Sequence, residues 1–352
     1  MSIDLRSDTV TLPTPQMREA MYRAEVGDDV HHDDPTIKRL ERMAAERMGK
    51  DDALFVASGT MANLVAVLTQ CEAGNRVIVG HEAHIHYYEG EGIRRLADVD
   101  FCELVNDEEG RIDPAGLEKF LWESEGQPIT LVCLENTHMR CGGVPITAEY
   151  TAKVATVAHE RSIPVHVDGA RIFNAAVALG VPAQSLVQEV DSVMFCLSKG
   201  LSAPVGSLLC GSGEFIVRAR QSRRWVGGGM RQVGILGAAG IVALETMIER
   251  LTDDHENAKL LATGLATIGG IAVDPDHVRT NIVIFALEGW ETRDFLAALS
   301  AEGVLALPTG PDRVRMVTHY GIERQDIEKA LAAVQRVMQK GLRAAQPVQP
   351  AG

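Results

Sequence analysis

Three short segments carry side chains that can do chemistry at the ends of apolar runs. Met194-Phe195-Cys196-Leu197-Ser198-Lys199-Gly200 delivers a lysine beside a glycine. Val165-His166-Val167-Asp168-Gly169-Ala170-Arg171 ends the same way on a carboxylate, with an arginine close behind. Ala57-Ser58-Gly59-Thr60-Met61-Ala62-Asn63 reads as a strand-to-helix turn with two hydroxyls, and the free N–H groups of such a turn can hold a phosphate against the helix dipole. Each has an ordinary explanation on its own: Ser58 as a helix N-cap, Asp168 as a turn former, Lys199 as a solvated side chain past a strand. Together they ask for more. Asp168 precedes Lys199 by 31 residues, room for one helix and one strand. That spacing would put two neighbouring strand ends over one pocket, where open α/β sheets place ligands.

An amine, a carboxylate and a phosphate cup are the parts that pyridoxal 5'-phosphate chemistry requires. The amine carries the cofactor as a Schiff base, the carboxylate keeps the pyridine nitrogen protonated so that the ring is an electron sink, and the cup holds the phosphate.

The elements that must position these parts are legible too. Residues 35 to 49 open with Pro35, space Ile37, Leu40, Met43 and Met48 on one side and close with Gly49, a helix with start and stop signals. Apolar runs at 53–56, 76–79, 101–105, 129–135, 163–167, 192–197 and 205–210 then alternate with helical patterns. This predicts an α/β fold with a mostly parallel sheet buried on both faces. A long helical pattern spans about 232 to 265, after which strands at 281–287 and 314–318 and helices at 291–301 and 323–339 suggest a smaller α+β domain. The expected organisation is a large domain over 1–250 that includes an N-terminal arm, a small domain over 251–342 and a tail over 343–352.

Composition narrows the function. With 352 residues, 46% of them hydrophobic, the chain can bury a sizeable core. A net charge of -14 argues against nucleic-acid or acidic-membrane partners, which need a basic face, and favours small molecules. The N-terminus has no apolar stretch after a basic start, and no window reaches the about 20 apolar residues of a membrane span. Six scattered cysteines, four in apolar runs, fit buried thiols in a reducing cytoplasm. His81, His84 and His86 imitate a metal cluster, but on an extended segment His81 would face away from the other two, so no metal site is expected. Glu89 is read either as a surface residue or as one that orients His84 or a water.

Taken in order, the segments Asp4–Thr11, Gly27–Val30, Glu135–His138, His166–Arg171, Leu197–Ser207 and Gly227–Gln232 resemble those of the low-specificity L-threonine aldolases, a family of fold-type I pyridoxal-phosphate enzymes. The likeness runs from residue 3 to about 340. It implies cleavage of L-threonine, L-allo-threonine and related L-β-hydroxy-α-amino acids to glycine and an aldehyde. It also implies that Lys199 carries the cofactor, that Asp168 pairs with the pyridine nitrogen and that Ser58, Gly59 and Thr60 hold the phosphate. Arg231 matches a position that reaches the phosphate from a neighbouring subunit, so the resemblance implies a homo-oligomer, a tetramer built from dimers with shared active sites. Ser7, Arg171 and Arg315 fall where the family grips the substrate carboxylate, a task suited to the planar fork of arginine; Arg171 also counts among the cofactor positions. His84 matches the histidine stacked on the cofactor ring, and His138 one that contacts the substrate hydroxyl. His84, His138 or a water takes the hydroxyl proton.

Two segments depart from the family pattern. His31-His32 stands where many relatives have Tyr-Gly, placing His31 at the pocket border, and Met139-Arg140-Cys141-Gly142-Gly143 replaces a short polar run. Both leave the aldehyde-side preference open. The competing readings are another fold-type I activity, such as β-elimination or transamination, and a non-catalytic small-molecule binding protein. Neither a Gly-x-Gly-x-x-Gly turn nor a Gly-x-x-x-x-Gly-Lys-Ser/Thr loop is present, so a nucleotide enzyme is set aside.

Overall fold

The computed structural model describes residues 2–344. They divide into two compact units: Thr11–Leu251, and the first ten residues together with the chain from Thr252 onward.

The larger unit is built on seven strands: β1 (Asp52–Val56), β2 (Arg76–Gly80), β3 (Asp100–Leu104), β4 (Ile129–Glu135), β5 (Val165–Asp168), β6 (Ser192–Cys196) and β7 (Ser207–Gly211), in the spatial order β1-β7-β6-β5-β4-β2-β3. All pairs from β6 to β3 are parallel, and β7 alone runs against both its neighbours. β6 and β7 are mainly apolar without alternation, β5 alternates Val165 and Val167 with His166 and Asp168, and all three are buried throughout, because helices cover both faces. Glu135 lies level with Asp168, and Asp168 with Met194. The carboxyl ends of β4, β5 and β6 therefore meet at one edge. The end of β1 reaches the same edge, since two successive antiparallel pairings restore its direction.

Helix Gly59–Gln70 starts where Ser58 Oγ accepts the Met61 N–H at 3.1 Å, and it buries the run Ala62–Val67. The helical pattern at 232–265 resolves into two helices, Gly234–Thr246 and Leu251–Leu265. The break falls at 247–250, and the division between the units follows Leu251. Among the described residues no helix is long and apolar enough to cross a membrane.

The smaller unit has the antiparallel sheet β10-β11-β9-β8, from β8 (Ile271–Ala272), β9 (Ile282–Leu287), β10 (Leu307–Pro308) and β11 (Arg313–Val317). Its helices at Thr292–Ala301 and Arg324–Ala344 supply much of a separate apolar core that includes Leu5, Phe285 and Phe295. The first ten residues, expected with the large domain, belong here instead. Ile3–Asp4 pairs parallel with Val304–Leu305, Leu5 O accepts the Val317 N–H at 2.8 Å, and His319 Nε2 lies 2.9 Å from the Asp4 carbonyl. Short-range patterning carries no signal for such a pairing. Of the expected tail, 343–344 continue the last helix, and the rest lies outside the described residues.

Asp34 ties the segments around the glycine-rich stretch. It is 1% exposed, caps helix Pro35–Met48 by accepting from Thr36 N and Ile37 N at 3.0 Å, and accepts from Gly234 N at 2.8 Å. Asp34→Ala would leave those donors buried without partners, and we expect it to destabilise the fold by about 2–4 kcal/mol. Urea unfolding at fixed protein concentration measures this, and an unchanged midpoint would show that water replaces the carboxylate.

Candidate active site

The carboxyl edge of the sheet collects Ser58, Gly59, Thr60, His84, His138, Asp168, Arg171 and Lys199, while Arg231 and His31 lie on the glycine-rich stretch and the loop joined to it. Asp168 ends β5, 3% exposed, with Oδ2 accepting from Asn63 Nδ2 at 2.9 Å and Oδ1 from Ala170 N at 3.1 Å. Burial pushes its carboxyl up, but the charges of His84 and Lys199 and the two hydrogen bonds outweigh it and hold Asp168 below the usual range. Lys199, partly buried, follows β6 in a turn closed by Ser202 N donating to Lys199 O at 2.9 Å. The amine and the carboxylate thus come from adjacent parallel strands.

Asn63 is the functional residue that the sequence reasoning passed over. Its Nδ2 donates to Asp168 and also to Glu89 Oε2 at 3.2 Å, while Oδ1 lies 3.1 Å from His166 Nε2. Since the amide nitrogen faces carboxylates, Oδ1 must accept, which makes His166 Nε2 the donor and lets Nδ1 accept from Ser192 Oγ at 2.9 Å. Burial pushes His166 down to about 4, so it stays neutral. The signal was available: one amide amid Met61-Ala62-Asn63-Leu64-Val65-Ala66 is a polar group on a buried helix face.

His84 lies in a helical turn, His84–Tyr87, and not on the extended segment expected. Its backbone N–H donates to Glu135 Oε2 at 2.6 Å, and Nδ1 lies 2.8 Å from Glu89 Oε1. Burial opposes its charge, but the Glu89 hydrogen bond and the carboxylates of Asp168 and Glu135 raise its pKa above the ordinary value. Glu89 is buried, 6% exposed, which removes the surface reading. His86 diverges toward Glu103 at 3.3 Å and packs edge-on against Phe101. His84, Glu89 and Asp168 bring ligand atoms within 4.8 Å of one another, but Asn63 already spans the two carboxylates and a raised His84 supplies their countercharge. Through Asn63 the three join one hydrogen-bond network.

His138 is 1% exposed, with neither ring nitrogen hydrogen-bonded and Nε2 3.8 Å from Glu135 Oε2. Gly110, at φ +84°, makes room for it: a Cβ there would meet the ring at 2.2 Å. Arg171 is buried at the start of helix Ile172–Leu179. Ser58 and Thr60 present exposed side chains, and Thr60 Oγ1 donates to Glu89 Oε1 at 3.3 Å. Arg231 is largely exposed and pairs with Asp28 at 3.2 Å, and its carbonyl accepts the Asp29 N–H. That joins the glycine-rich stretch to the Gly27–His32 loop, on which His31 is exposed. Buried Arg223 pairs with Asp29 at 2.7 Å and holds the same loop.

Ser7 and Arg315 lie in the smaller unit. Arg315, on β11, donates through Nη2 to the Arg6 carbonyl at 3.4 Å, and Ser7 Oγ accepts from Thr9 Oγ1 at 2.9 Å. Arg315 and the Ser7 segment are thus neighbours.

The larger unit's residues fit pyridoxal phosphate. A charged carboxylate, an amine that acts on it and a raised histidine stand together, and the first-turn N–H groups of Gly59 and Thr60 precede the first intrahelical bond, Ala62 N to Ser58 O. A Cβ at Gly59 would meet Cys196 Sγ at 2.9 Å, so only glycine lets the cup sit this close to β6.

Comparison with known proteins agrees with this chemistry. The beta-eliminating lyase family model matches residues 4–288. The chain is 46% identical over 345 residues to low-specificity L-threonine aldolase 1 of Arabidopsis thaliana, covering 96% of each. It is 41% identical over 335 residues to the low specificity L-threonine aldolase of Escherichia coli K12, covering 94% of this chain and 97% of that one. The structure of the threonine aldolase of Leishmania major superposes with a TM-score of 0.82 over 96% of this chain and 99% of that one, at 19% identity, which shows the fold. The chain belongs to the beta-eliminating lyase family and, within it, to the low-specificity L-threonine aldolases.

Proposed function

We propose that this protein cleaves L-threonine, L-allo-threonine and related L-β-hydroxy-α-amino acids to glycine and an aldehyde with pyridoxal phosphate as cofactor. The observation that carries the reading is the buried Asp168–Asn63–Glu89–His84 network at the strand edge that also presents Lys199.

When bound, the cofactor supplies the electron sink that accepts the pair left as the Cα–Cβ bond breaks. Asp168 would hold the pyridine nitrogen protonated with its fixed negative charge. Lys199 offers the amine, and Ser58, Gly59 and Thr60 the phosphate contacts. Cleavage also requires removal of the β-hydroxyl proton. With Nδ1 engaged by Glu89, proton exchange at His84 runs through Nε2; His138 or a water are the other candidates for this step. For the carboxylate, Arg171 offers a buried guanidinium, while the support for Ser7 and Arg315 is the match of their positions to the family. His31 is proposed at the pocket border on the same ground.

A tetramer built from dimers, with Arg231 serving a neighbouring subunit's phosphate, accords with that arginine's exposure and with exposed Tyr22, Val105 and Trp225. Six free cysteines, four of them buried, support a reducing cytoplasm.

Glycine release from L-threonine is the direct test, and ammonia with a keto acid in its place would make this a β-eliminating enzyme. Lys199→Ala is expected to lose the visible absorption of the loaded protein and its turnover together. Arg315→Leu should keep that absorption while kcat/KM falls about 10- to 100-fold, the effect of one charge-assisted pair to substrate; loss of cofactor instead would move Arg315 to the phosphate. His84 is raised, so the stabilisation from its pairing with Glu89 is present below the ordinary histidine pKa and lost as pH rises through the raised value. Glu89→Gln should move that loss to lower pH. Ring NMR of His84 reads the shift, and an unmoved midpoint would assign the effect to Asp168 and Glu135.

A further inference from the structure

Residues 139–143, which depart from the family's short polar run, fold as a tight turn closed by Gly142 N to Met139 O at 3.2 Å and Gly143 N to His138 O at 2.8 Å. The turn projects Arg140 over two tyrosines. Its guanidinium carbon stands 3.5 Å from the centroid of the Tyr87 ring, Nη1 donates to the Tyr88 hydroxyl at 3.3 Å, and Nε pairs with Glu82. Tyr88 in turn lies against His84, with ring centroids 4.9 Å apart. Arg140 is mostly covered, at 15% side-chain exposure, whereas Tyr87 and Tyr88 are 55% and 52% exposed.

A guanidinium that bonds a tyrosine hydroxyl and stacks on its neighbour removes the freedom of both rings. Tyr88 is thereby fixed as an outward extension of the surface that begins at His84. Glu82 balances the Arg140 charge, so this surface is aromatic and near neutral, with the Tyr88 ring inclined 42° to His84 and 67° to Tyr87, and gives no advantage to an anionic substituent.

We infer that Tyr88, held by Arg140, determines which group beyond Cβ the enzyme prefers, favouring flat aromatic substituents; this rests on the proposed function. Tyr88 is the specificity-determining residue, and Arg140 is a positioning residue that acts through the Tyr88 hydroxyl. An aromatic ring on the substrate gains the offset or edge contact that two aromatic groups make, whereas the methyl group of threonine does not.

The ratio of kcat/KM for L-phenylserine to that for L-threonine reads the effect. Tyr88→Leu is expected to lower the ratio about 5-fold, the size of one aromatic contact. Tyr88→Phe, which keeps the ring and loses only the hydroxyl, and Arg140→Ala should each lower it about 2- to 3-fold, and the double variant no further, because both remove one restraint. L-Phenylalanine and L-alanine lack the hydroxyl needed for cleavage, so their dissociation constants, read by spectral titration of the loaded enzyme, should change in parallel. An unchanged ratio in Tyr88→Phe and Arg140→Ala, or additive losses in the double variant, would overturn the inference. Absence of glycine from every substrate of the unaltered enzyme would instead overturn the proposed function, and the dissociation constants would still test the role of Tyr88.

Discussion

Two carboxylates, Asp168 and Glu89, lie buried within reach of one amide nitrogen, and the surrounding structure keeps them apart and holds Asp168 below the usual carboxylate range. Left alone, two such groups in a poorly solvated site would share a proton. Here Asn63 donates to both, Lys199 and a raised His84 supply positive charge, and neutral His166 turns the amide the right way round. If the amide flipped, its oxygen would face two anions and the arrangement would fail. The sheet register follows from this need: Asp168 must end β5 beside the strand that leads to Lys199, one strand away from Glu135, which fixes the His84 turn.

A second set of interactions holds what surrounds that centre. Asp34 gathers donors from the Pro35 helix and from Gly234, while Arg223 and Arg231 take Asp29 and Asp28. The Gly27–His32 loop and the glycine-rich stretch are distant in sequence yet restrained as one body. Arg223 and Asp29 are both 3% exposed, so removing either would bury an unpaired charge.

The chemistry was legible because each site segment ends an apolar run, where the polar residue stands out: Asp168, Lys199 and Ser58 all announce themselves this way. The strand count and the mostly parallel order followed from short apolar runs separated by helical patterns. What stayed hidden depends on pairing across long separations. Nothing near Asp4 signals that residues 1–10 join the smaller unit, since that attachment lies in backbone bonds to Val304–Leu305 and Val317. The single-turn helix at His84 is too short for periodicity to show. Arg140 stands out in the sequence only as part of a departing segment, and its turn brings it over Tyr87 and Tyr88.

The reversed strand β7 has a consequence for how the site comes into being. Among the described residues β1, which leads into Ser58, joins the sheet only through β7, with Val56 paired to Ser207. Such a pairing closes a loop that spans most of the larger unit, the kind of non-local contact that forms slowly because its entropy cost comes before its reward. During synthesis from the N-terminus, the emerging chain has Ser58, Gly59 and Thr60 early but no sheet edge on which to seat them. Until residue 211 has left the ribosome, β1 is an apolar strand without its sheet partner, so this stretch is where an unfinished chain is most exposed to aggregation and to chaperones.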